Sequence, residues 1–479
     1  MTPIPARVRF DEAAPLALDI ARDIAAEGFD VLLVRDVLGR FSVVVDDREA
    51  SVDEGRRERW TAALAGLGAY ATSRPLAFGS RLFSTAELLR SARVVSEASE
   101  SAGSRTGSVR LRNNTVVGED WAKVSTPGPE PDGTRTHRTA LYGFKGGVGR
   151  TTATAVLARH LADQDKIVLV VDLDLESPGI GPLLAGGGLP ASGIVDHLVE
   201  SAVGNADNLE LVTRTSYTPR SGFGELWVAP ARGQGVDGVP YAYAEKLNRV
   251  YADTPGASFA DRLADAVRAC EEAVKREGDS DRRPDVVLLD SRAGIHDVAA
   301  VAISRLCDLA LLFGADNAQT WTGYGDLFAA WQSSGQAREI RDKLRMVASM
   351  VPDSVHHTMD DYLDAFRSRS YDCFRATLYD EVVADEAGAD PDPVSGRVSA
   401  SGTDTPFSPA EEDDAAPHHP IPILFDPGLV GMDALNSPRW QDRAFVQAAY
   451  RDFLATATPL ILSAPDGGGS DSGSEEGTA

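Results

Sequence analysis

This 479-residue sequence is poor in cysteine and contains no long hydrophobic run. Its three cysteines, Cys270, Cys307 and Cys373, are far apart, which excludes a disulfide framework and a metal site built on clustered thiols. We therefore expect reduced cysteines in a cytoplasmic protein. No run of eighteen apolar residues occurs, and residues 1–20 lack a basic segment followed by an apolar one. Neither a membrane span nor a secretory signal is expected.

Basic residues are outnumbered, and few of them are lysines. The chain has 47 Lys and Arg against 72 Asp and Glu, a net charge of −25, and only six of the basic residues are lysines. This bias toward arginine indicates a GC-rich genome. Eleven acids and one base lie between Asp380 and Asp414, and four acids follow residue 465, so these two segments carry −14 of the charge. The rest of the surface is still acidic and would repel phosphate backbones, so nucleic acid is not an expected partner.

Residues 1–124 are predicted to form a small α+β domain, in which we find no chemical motif. Its predicted elements are a helix over 11–28, a hairpin of strands 30–34 and 41–45, a helix over 56–70 and a second hairpin over 109–117. Residues 125–136 are rich in Pro and Gly and predict a linker. Residues 384–417 and 464–479 are acidic and rich in Gly and Ser, which predicts a disordered insertion and a disordered tail.

Residues 137–463 alternate apolar runs with helical patterns. The predicted elements are strands at 139–142, 167–171, 209–212, 226–228, 286–289, 309–313 and 346–348 and helices that include 151–164, 258–276 and 298–306. Solid apolar runs indicate strands that are buried on both faces. We therefore predict an α/β domain with a mostly parallel sheet and helices on both faces.

A glycine-rich segment, LYGFKGGVGRTT at 141–152, follows a predicted strand and begins a predicted helix. Its glycines let the backbone curl so that N–H groups point at phosphate oxygens, and the helix N-terminus adds positive charge. The Thr151 hydroxyl can bind Mg²⁺ beside the β- and γ-phosphates. The segment predicts a nucleotide-binding P-loop made of Lys145, Gly146, Gly147, Val148, Gly149, Arg150, Thr151 and Thr152.

This loop resembles the signature of the deviant Walker ATPases of the CobQ/CobB/MinD/ParA superfamily, whose pattern is KGGxGKT. The resemblance implies ATP and Mg²⁺ as ligands and a homodimer that forms on ATP binding, with Lys145 reaching the phosphates of the partner. Arg150 stands where the family has its loop lysine. Arginine can hold phosphate through two hydrogen bonds, but its planar head differs from an ammonium group. We expect retained binding and slow or altered hydrolysis. The chain is similar to a KGGVGR subgroup found in bacterial signalling and conflict or defence gene neighbourhoods.

Two apolar strands that end in aspartate complete the predicted site. Asp172 and Asp174, in VLVVDLDLESPGI at 168–180, point to the same side by the two-residue period of a strand. Asp290, in PDVVLLD at 284–290, ends the second strand in the Walker B pattern. The resemblance implies that Asp174 positions the attacking water, that Asp172 and Asp290 belong to the Mg²⁺ shell, and that Lys145 and Arg150 act with Asp174 in catalysis.

The segments after the Walker B strand carry weaker signals. Arg292 can contact phosphate or a partner, or form a structural ion pair, and the sequence leaves both open. Gly294 would let the following loop sense the γ-phosphate. The segment IPILFDPGLV at 421–430 resembles the family's segment beside the base, which implies Pro422, Asp426 and Pro427 as nucleotide contacts. The family's asparagine on the adenine side is missing from 347–352, so the resemblance alone favours ATP.

Two functions from different classes remain after related chemistries are set aside. The acidic Gly/Ser-rich C-terminal segment is not the basic amphipathic helix of a membrane-cycling ATPase, and no cysteine follows Asp290 as an iron–sulfur ATPase would require. The first function is a slow ATPase switch that dimerises on ATP binding and recognises a protein partner through residues 1–124. The alternative is a scaffold that binds ATP without hydrolysing it. His296, His418 and His419 are interpreted as surface residues, and Trp321 and Trp331 as core or interface aromatics.

Overall fold

A computed structural model describes residues 8–463 except 84, 102–103, 115–118, 128–135, 187, 236, 238, 255, 382–405 and 431–438. The chain divides into two compact units, Met1–Val117 and Gly118–Ala479. None of the helices in the described ranges is long and apolar enough to cross a bilayer.

The first unit is an α+β domain built on a five-stranded sheet. Its helices are α1 (Phe10–Ala26), α2 (Glu54–Ala65) and α3 (Thr85–Ser91), and its strands are β1 (Val31–Arg35), β2 (Phe41–Val45), β3 (Ala71–Phe78), β4 (Arg93–Ser96), β5 (Ser99–Ser101), β6 (Ser104–Thr106) and β7 (Val109–Asn113). The sheet order is β3-β2-β1-β7-β4, and β5 pairs with β6 alone. Helix α1 buries Ala13, Ala17, Ala21 and Ile24, residues at the spacing of one helical face, against this sheet.

The predicted second hairpin over 109–117 is wrong. Strand β7 runs parallel to β1 on one side and antiparallel to β4 on the other, so both of its edges are occupied. Residues 115–118 lie outside the described residues. The predicted hairpin of β1 and β2 is confirmed, with Val31 opposite Val45 and Arg35 opposite Phe41.

The second unit has an eight-stranded sheet with helices on both faces, as predicted. Its strands are β8 (His137–Gly143), β9 (Ile167–Leu173), β10 (Thr213–Arg214), β11 (Glu225–Ala229), β12 (Val286–Ser291), β13 (Leu309–Gly314), β14 (Leu344–Val351) and β15 (Ile421–Leu424). Its helices are α4 (Arg150–Ala162), α5 (Ile180–Ala185), α6 (Ile194–Ser201), α7 (Tyr243–Val250), α8 (Phe259–Glu277), α9 (Asp297–Val301), α10 (Ala318–Ser333), α11 (Ala337–Arg341), α12 (Met359–Thr377) and α13 (Arg443–Leu462). The strand order is β10-β11-β9-β12-β8-β13-β14-β15, and only the short edge strand β10 is antiparallel to its neighbour.

Alternate residues of the central strands pack into two separate hydrophobic cores. In β9, Leu169 and Val171 pack with helices α8, α9, α10 and α12, whereas Val168 and Val170 pack with α4, α5 and α13. This alternation is the two-residue period of a strand that is buried on both faces. It fixes the face to which a side chain at the end of each strand points.

One predicted strand and two predicted boundaries are wrong. Residues 209–212 are not a strand, because the strand begins at Thr213. The N-terminal domain does not extend to residue 124, because Trp121 is buried against the rings of Tyr142 and Trp331 in the second unit. The linker does not begin at Ser125, because its N–H donates to the carbonyl of Ser304.

The C-terminal part of the predicted disordered insertion, residues 406–417, is folded. Residues 382–405 lie outside the described residues, but residues 406–417 fold onto the domain: Ala416 is buried, and the N–H of Met346 donates to the carbonyl of Pro417. His418 is a core residue rather than a surface residue. It is fully buried, and its ring nitrogens pair with the Tyr379 hydroxyl at 2.6 Å and the Glu411 carbonyl at 3.0 Å.

Candidate nucleotide-binding site

The predicted P-loop connects the end of β8 to the start of α4. Gly147 and Gly149 have φ values of +79° and +76°, in the left-handed region that favours glycine. Gly146 and Gly147 are exposed, and no atom lies within 4 Å of where a Cβ would stand on any of these three glycines. The loop is therefore an open cradle of backbone N–H groups at a helix N-terminus, the arrangement that binds phosphate.

Three aspartates lie at the carboxyl end of the neighbouring strands. Asp172 of β9 lies directly opposite Asp290 of β12 in the parallel register, and Asp174 follows the end of β9. Val170 and Leu288, two residues before them, pack on the α4 side of the sheet, so Asp172 and Asp290 point to that side. The Asp172 carboxylate accepts hydrogen bonds from the N–H of Gly181 at 3.0 Å and of Asp174 at 3.2 Å.

Arg150 connects the P-loop helix to two of these carboxylates. Its guanidinium is buried, with Nε 3.0 Å from Asp290 Oδ1 and Nη2 3.2 Å from Asp174 Oδ2. The hydroxyl of Thr151 donates to Asp290 Oδ2 at 3.0 Å, and that of Thr154 lies 3.3 Å from Asp290 Oδ1. The Arg150 guanidinium is thus directed to the carboxylates and completes a closed polar network.

The network holds more negative charge than one arginine compensates. Burial and the charge of Asp290 raise the pKa of Asp172 to about 8. Burial also raises the pKa of Asp174, although Arg150 opposes that rise. Burial by itself would lower the pKa of Arg150, but the attraction of Asp290 and Asp174 outweighs it and raises that pKa. The carboxyl of Asp172 is therefore mainly protonated at neutral pH in the absence of a bound cation.

Asp172→Asn should flatten the pH dependence of stability. The wild-type carboxyl has a folded-state pKa of about 8 and an unfolded value of about 3.9. The folded state therefore holds an extra proton between these values, and its stability falls as the pH rises through this window, by up to about 1.4 kcal/mol per pH unit. Asparagine cannot titrate. Urea unfolding from pH 4 to 8 without divalent cations should show that the free energy of unfolding of the variant increases relative to that of wild type as the pH rises. The same pH dependence of that free energy in both proteins would contradict the pKa assignment.

Arg292 forms an ion pair with Glu176 beside this network. His296 is half-buried with Nε2 3.4 Å from Glu176, and the Tyr251 hydroxyl donates to the same carboxylate. The ion pair is therefore the interpretation of Arg292 that the structure supports. His296 therefore lies in a polar cluster next to the site, and burial lowers its pKa.

Lys145 is exposed at the start of the P-loop, and its ammonium group donates to Gln319 of α10. Helix α10 also packs against Phe144, the residue before Lys145. A Cβ at Gly323 would lie 2.1 Å from the ring of Phe144, so only glycine allows this ring to pack against the helix. The Phe144 N–H in turn faces the Tyr324 hydroxyl at 3.4 Å.

Gly323→Ala should displace Phe144 and with it the start of the P-loop. We expect a loss of about 1–3 kcal/mol in the free energy of unfolding from overpacking, together with weaker nucleotide binding. Gly325→Ala is the matched control, because an added Cβ there meets nothing within 4 Å. That variant should instead gain up to about 1 kcal/mol from helix propensity. Equal effects of the two substitutions in urea unfolding would contradict this packing, and adding Phe144→Ala should rescue Gly323→Ala.

The remaining predicted contacts lie along the same edge of the sheet, nearer its β15 end. Pro422 is in β15, opposite Ala348 of β14, and Asp426 caps the turn Pro427–Leu429 by accepting from the Gly428 N–H at 2.8 Å. On β14 the residue Met350 has a φ of +58°, which is rare for a side chain of its type. These residues are separated from β8 by β13 and β14.

Sequence reasoning missed four residues that build the site. Thr154 follows Arg150 by one helical turn, so helical spacing could have identified it. Gly181, Glu176 and Gln319 gave no usable signal, because their roles depend on how loops and helices pack at the end of the sheet. Together with the predicted residues they make a cradle for phosphate beside a set of carboxylates and hydroxyls that can bind a hard cation.

A scan against protein-family models matches residues 139–308 to the CobQ/CobB/MinD/ParA nucleotide binding domain. The similarity to this domain family is therefore limited to residues 139–308. The match includes the P-loop and all three aspartates. The comparison with curated proteins finds no match.

Several solved structures are similar to about half of this chain at low sequence identity. The septum site-determining protein MinD from Pyrococcus horikoshii OT3, complexed with Mg-ADP, is 19% identical with a TM-score of 0.33, covering 48% of this chain and 77% of that one. Cobyrinic acid a,c-diamide synthase from Mycobacterium smegmatis, with a bound ATP analog and magnesium, is 20% identical with a TM-score of 0.35, covering 49% and 83%. A ParA family ATPase from Chlorobium tepidum TLS is 17% identical with a TM-score of 0.33, covering 48% and 79%.

Proposed function

We propose that this chain binds ATP with Mg²⁺ and hydrolyses it slowly, and that ATP binding dimerises the domain until hydrolysis releases it. The observation that carries the proposal is the open glycine cradle of residues 146–149 beside Thr151, Asp172, Asp174 and Asp290. The MinD structure is a complex with Mg-ADP and the diamide synthase structure holds an ATP analog and magnesium, and these ligands support the proposal.

The residues present fit a magnesium nucleotide. In P-loop proteins Mg²⁺ is held by the loop hydroxyl and phosphate oxygens, with an aspartate of the Walker B strand acting through water. Thr151 and Asp290 already share a hydrogen bond of 3.0 Å, so one small movement would place a cation between them and the phosphates. Among the described residues no three His, Cys, Asp or Glu side chains form a ready-made metal cage. A site completed by the nucleotide phosphates does not require one.

Asp174 is the residue we assign to the attacking water. It is half-buried beside the P-loop, and its raised pKa makes its carboxylate a better proton acceptor than a free aspartate. Its contact with Arg150 must loosen before it can hold a water in line with the γ-phosphate. The arginine would then be free to neutralise charge on the phosphates, where a planar guanidinium can form two hydrogen bonds.

One observation favours the alternative function, an ATP-binding scaffold without hydrolysis. Arg150 is paired with Asp174 and Asp290, which are the residues assigned to the water and to Mg²⁺. If this pairing persists when ATP binds, the nucleotide is held but the water is not activated. The two functions therefore differ in where the Arg150 guanidinium lies in the ATP complex.

Dimerisation tests the switch through Lys145, which is exposed and whose ammonium group donates a hydrogen bond to Gln319. We expect full-length Asp174→Ala to accumulate as a dimer with ATP and Mg²⁺, and the added change Lys145→Ala to return it to a monomer without loss of nucleotide binding. Light scattering measures the mass, and Lys166→Ala is a control for the lost charge. A dimer that forms regardless of Lys145 or of nucleotide would contradict the switch.

We assign partner recognition to the N-terminal unit, a separate α+β fold built on a five-stranded sheet. We place the protein in the bacterial cytoplasm and in a signalling or defence context, which the resemblance to the KGGVGR subgroup supports. The acidic net charge of −25 argues against nucleic acid as the partner.

A further inference from the structure

A positively charged cavity lies between helices α4 and α13, apart from the P-loop. Its volume is about 420 Å³, within the usual range for small-molecule sites. Four arginines line it: Arg159 at the end of α4, Arg220 in the loop after β10, and Arg443 and Arg451 on α13. This concentration of positive charge stands out in a chain with a net charge of −25.

Arg159 has a buried guanidinium that the protein leaves unpaired. The residue is 3% exposed, and neither Nε nor Nη1 has a hydrogen-bond partner among the described residues. A buried charged group without a partner is costly, and native proteins rarely keep one unless a ligand completes it. Burial lowers the pKa of Arg159, with Tyr217 and Asp163 opposing this effect and Arg443 and Arg220 adding to it, and an arginine remains charged at neutral pH.

Asp163, the acidic residue in the cavity, is already paired with Arg443. Asp163 accepts two hydrogen bonds of 2.7 Å from Arg443, one of 2.8 Å from the Tyr217 hydroxyl and one of 2.9 Å from the Arg220 N–H. These contacts lower the pKa of Asp163 to about 2 despite its burial, so it stays ionised and neutralises Arg443. His160 adds no positive charge at neutral pH, because burial and Arg159 lower the pKa of its ring.

Among the described residues, the other three arginines at the cavity therefore form no ion pair of their own. Arg159 forms its buried wall, and the exposed Arg220 and Arg451 form no ion pair with any carboxylate in the described part of the chain. Arginines that converge on one cavity favour phosphate, which presents several oxygens to their planar N–H groups. We propose that this cavity binds a small, multiply charged phosphate anion, with Arg159 as its central contact.

The site is independent of the nucleotide site. Arg159 lies at the C-terminal end of α4, whereas the P-loop precedes the N-terminus of that helix. At 1.5 Å per residue, Arg150 and Arg159 are separated by about 13 Å along the helix axis. Helix α4, which holds both Arg150 and Arg159, connects the two sites.

Inorganic pyrophosphate is the probe, and calorimetry on the full chain at constant ionic strength is the measurement. Gly147→Asp blocks the P-loop, since it places a carboxylate where the φ is +79° and the loop would receive phosphate. We expect this variant to retain one pyrophosphate site, and the added change Arg159→Gln to weaken that site at least ten-fold. Arg375→Gln is the matched control, because Arg375 lies on α12, which packs on the opposite face of the sheet.

Thermal unfolding separates loss of binding from loss of folding. Because Arg159 is unpaired, Arg159→Gln should leave the Tm without ligand unchanged or higher, while the shift that pyrophosphate produces in the Gly147→Asp background should disappear. Absence of any pyrophosphate site in Gly147→Asp, or equal affinity with and without Arg159, would overturn the proposal. Vesicles containing phosphatidic acid are tested in parallel, and binding to vesicles alone would overturn the small-molecule assignment.

Discussion

Arg150→Gln should destabilise the nucleotide-free protein by about 3–5 kcal/mol, because it leaves buried charge uncompensated. The Arg150 guanidinium pairs with Asp290, which is 1% exposed, and with Asp174, and Asp172 lies opposite Asp290 in the next strand. Glutamine retains much of the side-chain volume but not the charge. Urea unfolding at pH 7 in EDTA measures the loss.

Magnesium with ADP should restore much of this stability, since a cation replaces the positive charge that the substitution removes. Arg369→Gln is the matched control. Arg369 is half exposed and lies 2.6 Å from Asp316, so its loss should cost below about 1 kcal/mol. An Arg150→Gln protein as stable as wild type in EDTA would contradict the closed network described above.

Asp174→Ala should reduce ATP turnover by about 10²–10⁴-fold while nucleotide binding is retained, because the substitution removes the group that positions the attacking water. The change does not touch the glycine cradle or the hydrogen bond between Thr151 and Asp290. Single-turnover hydrolysis and equilibrium binding of ATP, measured on the same preparation, separate the two effects. Asp326→Ala removes an exposed carboxylate on α10 and should leave both quantities unchanged.

If Asp174→Ala loses binding and turnover together, Asp174 is a structural partner of Arg150 rather than the residue that positions water. Asp174→Asn then distinguishes the two roles. The amide oxygen still accepts a hydrogen bond from Arg150, so a purely structural role predicts near-normal turnover in this variant. Our assignment predicts that turnover stays low.

The parts of the site that could be predicted from the sequence are those set by local periodicity. Asp172 and Asp290 end apolar strands, and the two-residue period together with the parallel sheet places both carboxylates at one edge, as the register confirms. The glycines of the P-loop stand between a strand and a helix, and the positive φ values at Gly147 and Gly149 follow from that turn.

The parts that could not be predicted depend on contacts between distant segments. Nothing in the sequence near Arg150 indicates that its guanidinium lies against Asp174 and Asp290 rather than pointing toward the loop. Trp121 was assigned to the N-terminal domain because its burial depends on Trp331, which is far along the chain. The loop context of His418 and the lack of a matching carboxylate or cysteine spacing predict a surface role, whereas its actual partner, Tyr379, precedes the insertion.

The central claim is that this domain binds and hydrolyses ATP with Mg²⁺, and Mg²⁺-dependent ATP turnover by the full chain tests it most directly. The measurement compares wild type with Arg150→Lys, in single-turnover and steady-state conditions, beside nucleotide binding. We predict that wild type binds ATP and turns it over slowly. Tight binding without turnover in wild type, restored by Arg150→Lys, would contradict the switch and establish the scaffold. Failure to bind any nucleotide would contradict the site itself.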